Sequence, residues 1–290
     1  MIDRWTGRLI SGALRALART DADRASALCG AAARRLGPLS PAHRVGEANL
    51  RAAFPDRDTP WIEATLGAAW DNLGRVAGEY VHLGRLWDFD PDRPGAGRIE
   101  TGAAPLFYEL LDDGKPALCF CAHLGNWELP AVAAAAHGLP SAVVYRMPNN
   151  RAVAAEIARI RAPLMGRLIR TRAEAPLEMA GALRQGLHLG MLVDQHFSRG
   201  LDVTFFGRRC KANPALARLA RQFECPVVGA RVVRLPAGRF RVDAVGPLDL
   251  PRDPDGAVDV ARTMQRVTDI VETWVREHPD QWLWFHRRWR

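Results

Sequence analysis

From residue 99 onward, short apolar runs alternate with amphipathic stretches. That rhythm restricts the chain to a sheet with helices packed over it, an α/β or mixed α+β core. Residues 117–121, 141–145, 190–194, 226–235 and 240–245 read as strands. Residues 106–112, 129–137, 177–187 and 258–278 read as helices, as does a stretch from Ala152 with a break near Pro163. Asn213-Pro214 supplies an N-cap and first turn for one more. The upstream part is different. Residues 21–37, 45–54 and 61–86 are helical, and the last places Ile62, Leu66, Ala69, Leu73, Val76 and Tyr80 on one face. Residues 88–98 are rich in Asp, Pro and Gly and read as a linker. The expected division is a helical N-terminal region over residues 1–90 and an α/β domain over residues 99–290. The order of the strands does not follow from the sequence.

Charge narrows the partners. The net charge is +8, and all but two of the 40 basic residues are arginine; Lys115 and Lys211 are the lysines. A cationic surface favours anionic lipid, nucleic acid or an acidic carrier protein, and the arginine fork suits phosphate and carboxylate. The charge is spread along the chain with no nucleic-acid motif, so no nucleic-acid partner is expected. The five cysteines form no CxxC pair, and HExxH is absent, so neither a disulfide framework nor a metal centre is expected. No apolar run approaches the length of a membrane span. Residues 2–19 instead form a basic amphipathic segment, with Ile2, Trp5, Leu9, Leu14 and Leu17 on one face, suited to lying in a membrane interface or to packing on the domain.

Residues 115–137 hold the best candidate chemistry. An apolar strand leads into His123-Leu-Gly-Asn-Trp-Glu128, and a helical pattern follows, with Asn126 as the expected N-cap. With eight histidines and acids at 32 of 290 positions, chance alone gives about one His-x4-acid match. The position at a strand-to-helix turn distinguishes this one. A carboxylate beside a His fixes its tautomer and stabilises the imidazolium, which makes the ring an oriented base. Such a base can activate a substrate hydroxyl, so no enzyme nucleophile is needed; a G-x-S-x-G elbow is absent.

HLGNWE resembles the His-x4-Asp/Glu motif of glycerol-phosphate-type membrane O-acyltransferases, and its Glu form is similar to that of bacterial lipid A late acyltransferases, the lauroyl and myristoyl transferases. Three more blocks agree in order: VYRMPNN at 144–150, GMLVDQHF at 190–197 and QWLWFHRRWR at 281–290. The resemblance runs from about residue 40 to the end. It implies a mixed sheet flanked by helices with a helical N-terminal region. It also implies transfer of a fatty acyl chain from an acyl carrier protein or acyl-CoA to a hydroxyl of a lipid A precursor or similar glycolipid. No cofactor or metal is implied. The expected location is the cytoplasmic face of the cell inner membrane, peripheral or monotopic. Carried over by position, His123 is the base and Glu128 its partner. Gly125 and Asn126 are the expected backbone oxyanion donors, and Arg146, Asn149, Arg161 and Asp194 the expected substrate-binding residues. The nearest alternative keeps the chemistry and changes the acceptor to a phospholipid, a phosphoinositide mannoside or an ornithine lipid. The alternative from another class is a non-catalytic basic protein that binds membrane or nucleic acid. The Trp-rich tail is expected to pack partly into the core, with His286, Arg287 and Arg288 near the site.

Overall fold

A computed structural model describes residues 12–148 and 150–289. Most of the amphipathic segment at 2–19 lies outside the described residues; residues 12–17 are helical. Three helices follow: α1 (Ala22–Leu36), α2 (Pro41–Ala53) and α3 (Thr59–Glu79). Their starts have local causes. Asp21, Ser40 and Asp58 each cap a free N–H with a side-chain oxygen, and Pro41 and Pro60 occupy first-turn positions that need no donor. A short α4 (Leu83–Leu86) ends the helical region.

The remainder builds one seven-stranded sheet. Its strands are β1 (Ile99–Thr101), β2 (Leu118–Cys121), β3 (Ser141–Tyr145), β4 (Arg167–Arg170), β5 (His188–Leu192), β8 (Val227–Arg234) and β9 (Phe240–Val245), in the order β1-β9-β8-β2-β5-β3-β4. All neighbours are parallel except β8 and β9, so the sheet is mixed. Strands β6 (Leu201–Phe205) and β7 (Arg208–Ala212) form a separate antiparallel hairpin. The helices between are α5 (Ala104–Asp112), α6 (Leu129–Ala136), α7 (Arg151–Arg161), α8 (Ala175–Arg184), α9 (Ala215–Phe223) and α10 (Val260–Glu277).

The period of two along β2 explains why both faces are covered. Leu118 and Phe120 pack among residues of α8, α9 and α10, while Ala117 and Cys119 meet Leu110 and Leu139 on the other side. Leu50, Ile62 and Leu66 of the helical region belong to the same buried cluster as Leu118 and Phe120. The tail is not a strand. One antiparallel bridge joins Trp282 to Leu124, and the Trp282 and Trp284 rings are buried in the core. Arg288, also buried, lies over the Phe205 ring and donates from Nη1 to the Lys211 carbonyl at 2.6 Å, which fastens the tail to the hairpin.

Candidate active site

β2 and β5 are adjacent and parallel in the middle of the sheet, so their C-terminal ends lie side by side. Such ends are where open α/β sheets hold ligands. His123 stands two residues beyond β2, and Asp194 two residues beyond β5. The two side chains meet: His123 Nδ1 lies 2.8 Å from Asp194 Oδ1. Asp194 Oδ2 accepts from the backbone N–H of His123 at 2.8 Å and from Trp282 Nε1 at 2.8 Å. Burial alone would raise this carboxyl. The charge of His123, with the hydrogen bonds from His123 and Trp282, outweighs burial and brings Asp194 down to about 2.

An ionised carboxylate only accepts, so Nδ1 of His123 carries a proton and donates it to Asp194, and Nε2 is the ring nitrogen turned away from the carboxylate. The Gln195 side-chain amide lies 3.3 Å from Nε2, a long contact in which it donates. The edge of Trp127 packs on the imidazole, with ring centroids 5.2 Å apart. The His123 side chain therefore keeps a little solvent access, while Asp194 is sealed.

Glu128, expected beside His123, faces elsewhere. Its buried carboxylate takes a two-pronged bond from Arg161, the last residue of α7: Nη2 to Oε1 at 2.5 Å and Nε to Oε2 at 3.1 Å. The Arg161 guanidinium lies between the rings of Tyr80 and Tyr145, at 5.6 and 5.4 Å. The reason is local. Helix α6 begins at Leu129, later than Asn126 as N-cap would place it, and residues 123–128 form a turn. Within it the Asn126 Oδ1 accepts from the Glu128 N–H at 3.2 Å. The turn sends His123 and Glu128 toward different partners.

The same turn settles which amides are free. Gly125 N–H, expected as an oxyanion donor, is bonded to the Gln281 carbonyl at 3.2 Å. The amides of Asn126 and Trp127 have no partner among the described residues. Gly125 has φ +57°, and a Cβ there would sit 2.1 Å from the Val232 carbonyl oxygen, so no larger residue fits. Of the other expected substrate residues, Arg146 is exposed just beyond β3, and Asn149 lies outside the described residues.

Behind the turn is a buried polar network. Glu79, at the end of α3, accepts from Asn126 Nδ2 at 2.8 Å, Ser26 Oγ at 2.6 Å, and Arg234 Nη1 and Nη2 at 2.5 and 2.9 Å. Arg234 Nε donates to Asn72 Oδ1 at 2.8 Å, and Asn72 Nδ2 donates to the carbonyls of Gly125 and Gln281. The helical region thus holds the turn that carries His123.

A family model described as bacterial lipid A biosynthesis acyltransferase matches residues 1–290. The chain belongs to this family. It is an acyltransferase of lipid A and lipopolysaccharide biosynthesis, a reaction class that needs an acyl donor and a lipid acceptor. No curated protein matches the chain significantly. No helix among the acyltransferase's described residues is long and apolar enough to cross a membrane.

Four side chains around this acyltransferase site were not visible in the sequence: Gln195, Trp282, Asn72 and Glu79. Gln195 follows Asp194 directly, and Trp282 is the second residue of a block already noted, so adjacency was a signal for both. Asn72 and Glu79 sit on the buried face of α3, where a polar residue in a hydrophobic pattern marks a specific partner.

Proposed function

We propose that this acyltransferase moves a fatty acyl chain from an acyl thioester, on acyl carrier protein or coenzyme A, to a hydroxyl of a lipid A precursor or similar glycolipid. The observation that carries this reading is the His123–Asp194 pair at the open end of two central strands, with Nδ1 on the carboxylate and Nε2 turned away from it. An acceptor hydroxyl approaching Nε2 displaces the long Gln195 contact and gives up its proton. The oxygen then forms a bond to the thioester carbonyl carbon. Asp194 stabilises the imidazolium formed in that step. The tetrahedral oxyanion takes hydrogen bonds from the amides of Asn126 and Trp127. Collapse breaks the C–S bond, and the departing thiolate takes the proton from Nε2. The pair is then restored.

In this scheme Glu128 is a positioning residue. Bonded to Arg161 and linked through its own amide to Asn126, it holds the far side of the turn. Arg146 and Asn149 are proposed to contact the polar part of the substrate. The site works at the cytoplasmic face of the inner membrane, with the net charge of +8 favouring its anionic surface.

Acyl transfer in detergent micelles tests the proposal. Carrier-protein and coenzyme A thioesters of several chain lengths are offered with a tetra-acylated lipid A precursor, and the product is read by mass. Product that requires His123 supports the reading. Transfer only to a phospholipid keeps the chemistry and changes the acceptor. No transfer from any thioester to any lipid overturns it.

A further inference from the structure

A base that serves a lipid hydroxyl has to be kept from water. The His123 side chain is 14 % exposed, so solvent reaches the ring. An oriented imidazole activates any hydroxyl that bonds to it, and water attacking the same thioester yields only free fatty acid. What stands at each edge of this ring therefore decides which hydroxyl is used. Asp194 occupies Nδ1 at 2.8 Å. The Trp127 ring packs on the imidazole, with centroids 5.2 Å apart. At Nε2, among the described residues, the side-chain amide of Gln195 lies within hydrogen-bond reach at 3.3 Å.

Gln195 is placed there by its neighbour. Asp194 is sealed and held by three hydrogen bonds, so the backbone just beyond β5 is fixed, and Gln195 follows it directly. The Gln195 residue is part-buried, and its side-chain amide makes no second hydrogen bond among the described residues. It can leave Nε2 without breaking another bond, and a contact of 3.3 Å is a weak one. A side-chain amide also suits both states of the ring. Its N–H donates to the neutral imidazole, and, turned over, its carbonyl accepts from the imidazolium.

We propose that Gln195 is a displaceable cap on the His123 base, and that it sets the choice between a lipid hydroxyl and water. The cap rests on the acyltransferase reading above. A bound acceptor is held through its own headgroup and chains, which gives its hydroxyl a high effective concentration at Nε2. It displaces the amide. A free water has only its own hydrogen bonds to offer and meets the amide in place. With the cap removed, water gives a proton to Nε2, and its oxygen bonds to the thioester carbonyl carbon. The C–S bond then breaks, the thiolate takes the proton from Nε2, and a fatty acid and a free thiol are released.

Two readouts on the full chain in micelles test this, with the folding of each variant checked by circular dichroism. The first is partition: product lipid against free fatty acid formed from an acyl-coenzyme A in the presence of a lipid A precursor. Gln195→Ala is expected to lower the ratio of transfer to hydrolysis by up to about 10-fold, the equivalent of one net hydrogen bond. Gln195→Met keeps the length of the side chain and loses the amide, so its ratio should also fall. A loosened structure would lower both rates together and leave the ratio where it was. The second readout needs no acyl transfer. Diethyl pyrocarbonate labelling of His123, timed by peptide mass, is expected to run roughly 3- to 10-fold faster in Gln195→Ala than in the parent protein. An unchanged ratio with unchanged labelling in Gln195→Ala overturns the cap, and a parental ratio in Gln195→Met overturns the part given to the amide. Faster labelling in Gln195→Ala, with neither transfer nor hydrolysis by either protein, overturns the acyltransferase mechanism and leaves the cap standing.

Discussion

At the residue scale, Asp194 is the side chain whose surroundings say most about the chemistry. A fully buried carboxylate persists because three donors converge on it: the His123 amide, the His123 imidazole and the Trp282 indole. Its shift also makes a statement about stability. A carboxyl held at about 2 when folded and near its ordinary value when unfolded stabilises the fold above the unfolded value. That contribution, roughly 2–3 kcal/mol, is lost as the pH falls toward 2. Denaturant unfolding between pH 6 and 2 should show the slope in the parent protein and not in Asp194→Asn. Trp282→Phe removes one of the donors and keeps most of the ring. It should raise the pH at which this stability is lost, and cost about 1.5–3 kcal/mol, the range for a hydrogen bond to a charged group. An acid transition at the same pH in parent and Trp282→Phe would show that the indole N–H does not hold the carboxylate.

At the element scale, the strand-turn-helix unit around residues 118–136 decides the site. Gly125→Ala puts a methyl group against the Val232 carbonyl at a positive φ. We expect a loss of at least about 3 kcal/mol, read as a lowered Tm, with loss of activity. A Tm within a degree of the parent would mean the turn is not held as described. The apolar run at 141–145 and the alternation of apolar and charged residues at 240–243 predicted β3 and β9 residue for residue, because each is a strand pattern readable along one segment. The hairpin β6–β7 and strand β4 did not. RLIR and RRCKA carry charged residues on their exposed faces, and their apolar partners come from distant segments. The pairing of His123 was hidden for the same kind of reason. Spacing along one turn suggested Glu128, whereas Asp194 arrives through the parallel pairing of β2 with β5, a contact 71 residues away.

At the scale of the whole molecule, the N-terminal helices are part of the catalytic scaffold. Residues of α2 and α3 share a hydrophobic cluster with β2, and Glu79 reaches the turn through Asn126. Glu79→Ala leaves the part-buried Arg234 guanidinium without its carboxylate partner. It is expected to destabilise the protein by about 3–5 kcal/mol. Hydrogen exchange should then rise together in α3 and in β2 and β8, as one cooperative unit. Faster exchange confined to α3 would show that the helical region unfolds on its own. The rhythm of the sequence changes near residue 99, and the same hydrophobic cluster spans both sides of that change.

The central claim is that His123 is the base and Asp194, rather than Glu128, is its partner. The measurement that tests it most directly is the pH profile of kcat/KM for acyl transfer by parent, His123→Ala, Asp194→Asn and Glu128→Gln, each shown to be folded by circular dichroism. The account predicts no detectable transfer by His123→Ala. It predicts a fall of about 10²- to 10⁴-fold for Asp194→Asn across the whole profile, because the amide holds the wrong tautomer. A smaller loss is predicted for Glu128→Gln, with the shape of the profile kept. Near-parental turnover by Asp194→Asn, with Glu128→Gln inactive, would contradict it and return the catalytic partnership to Glu128.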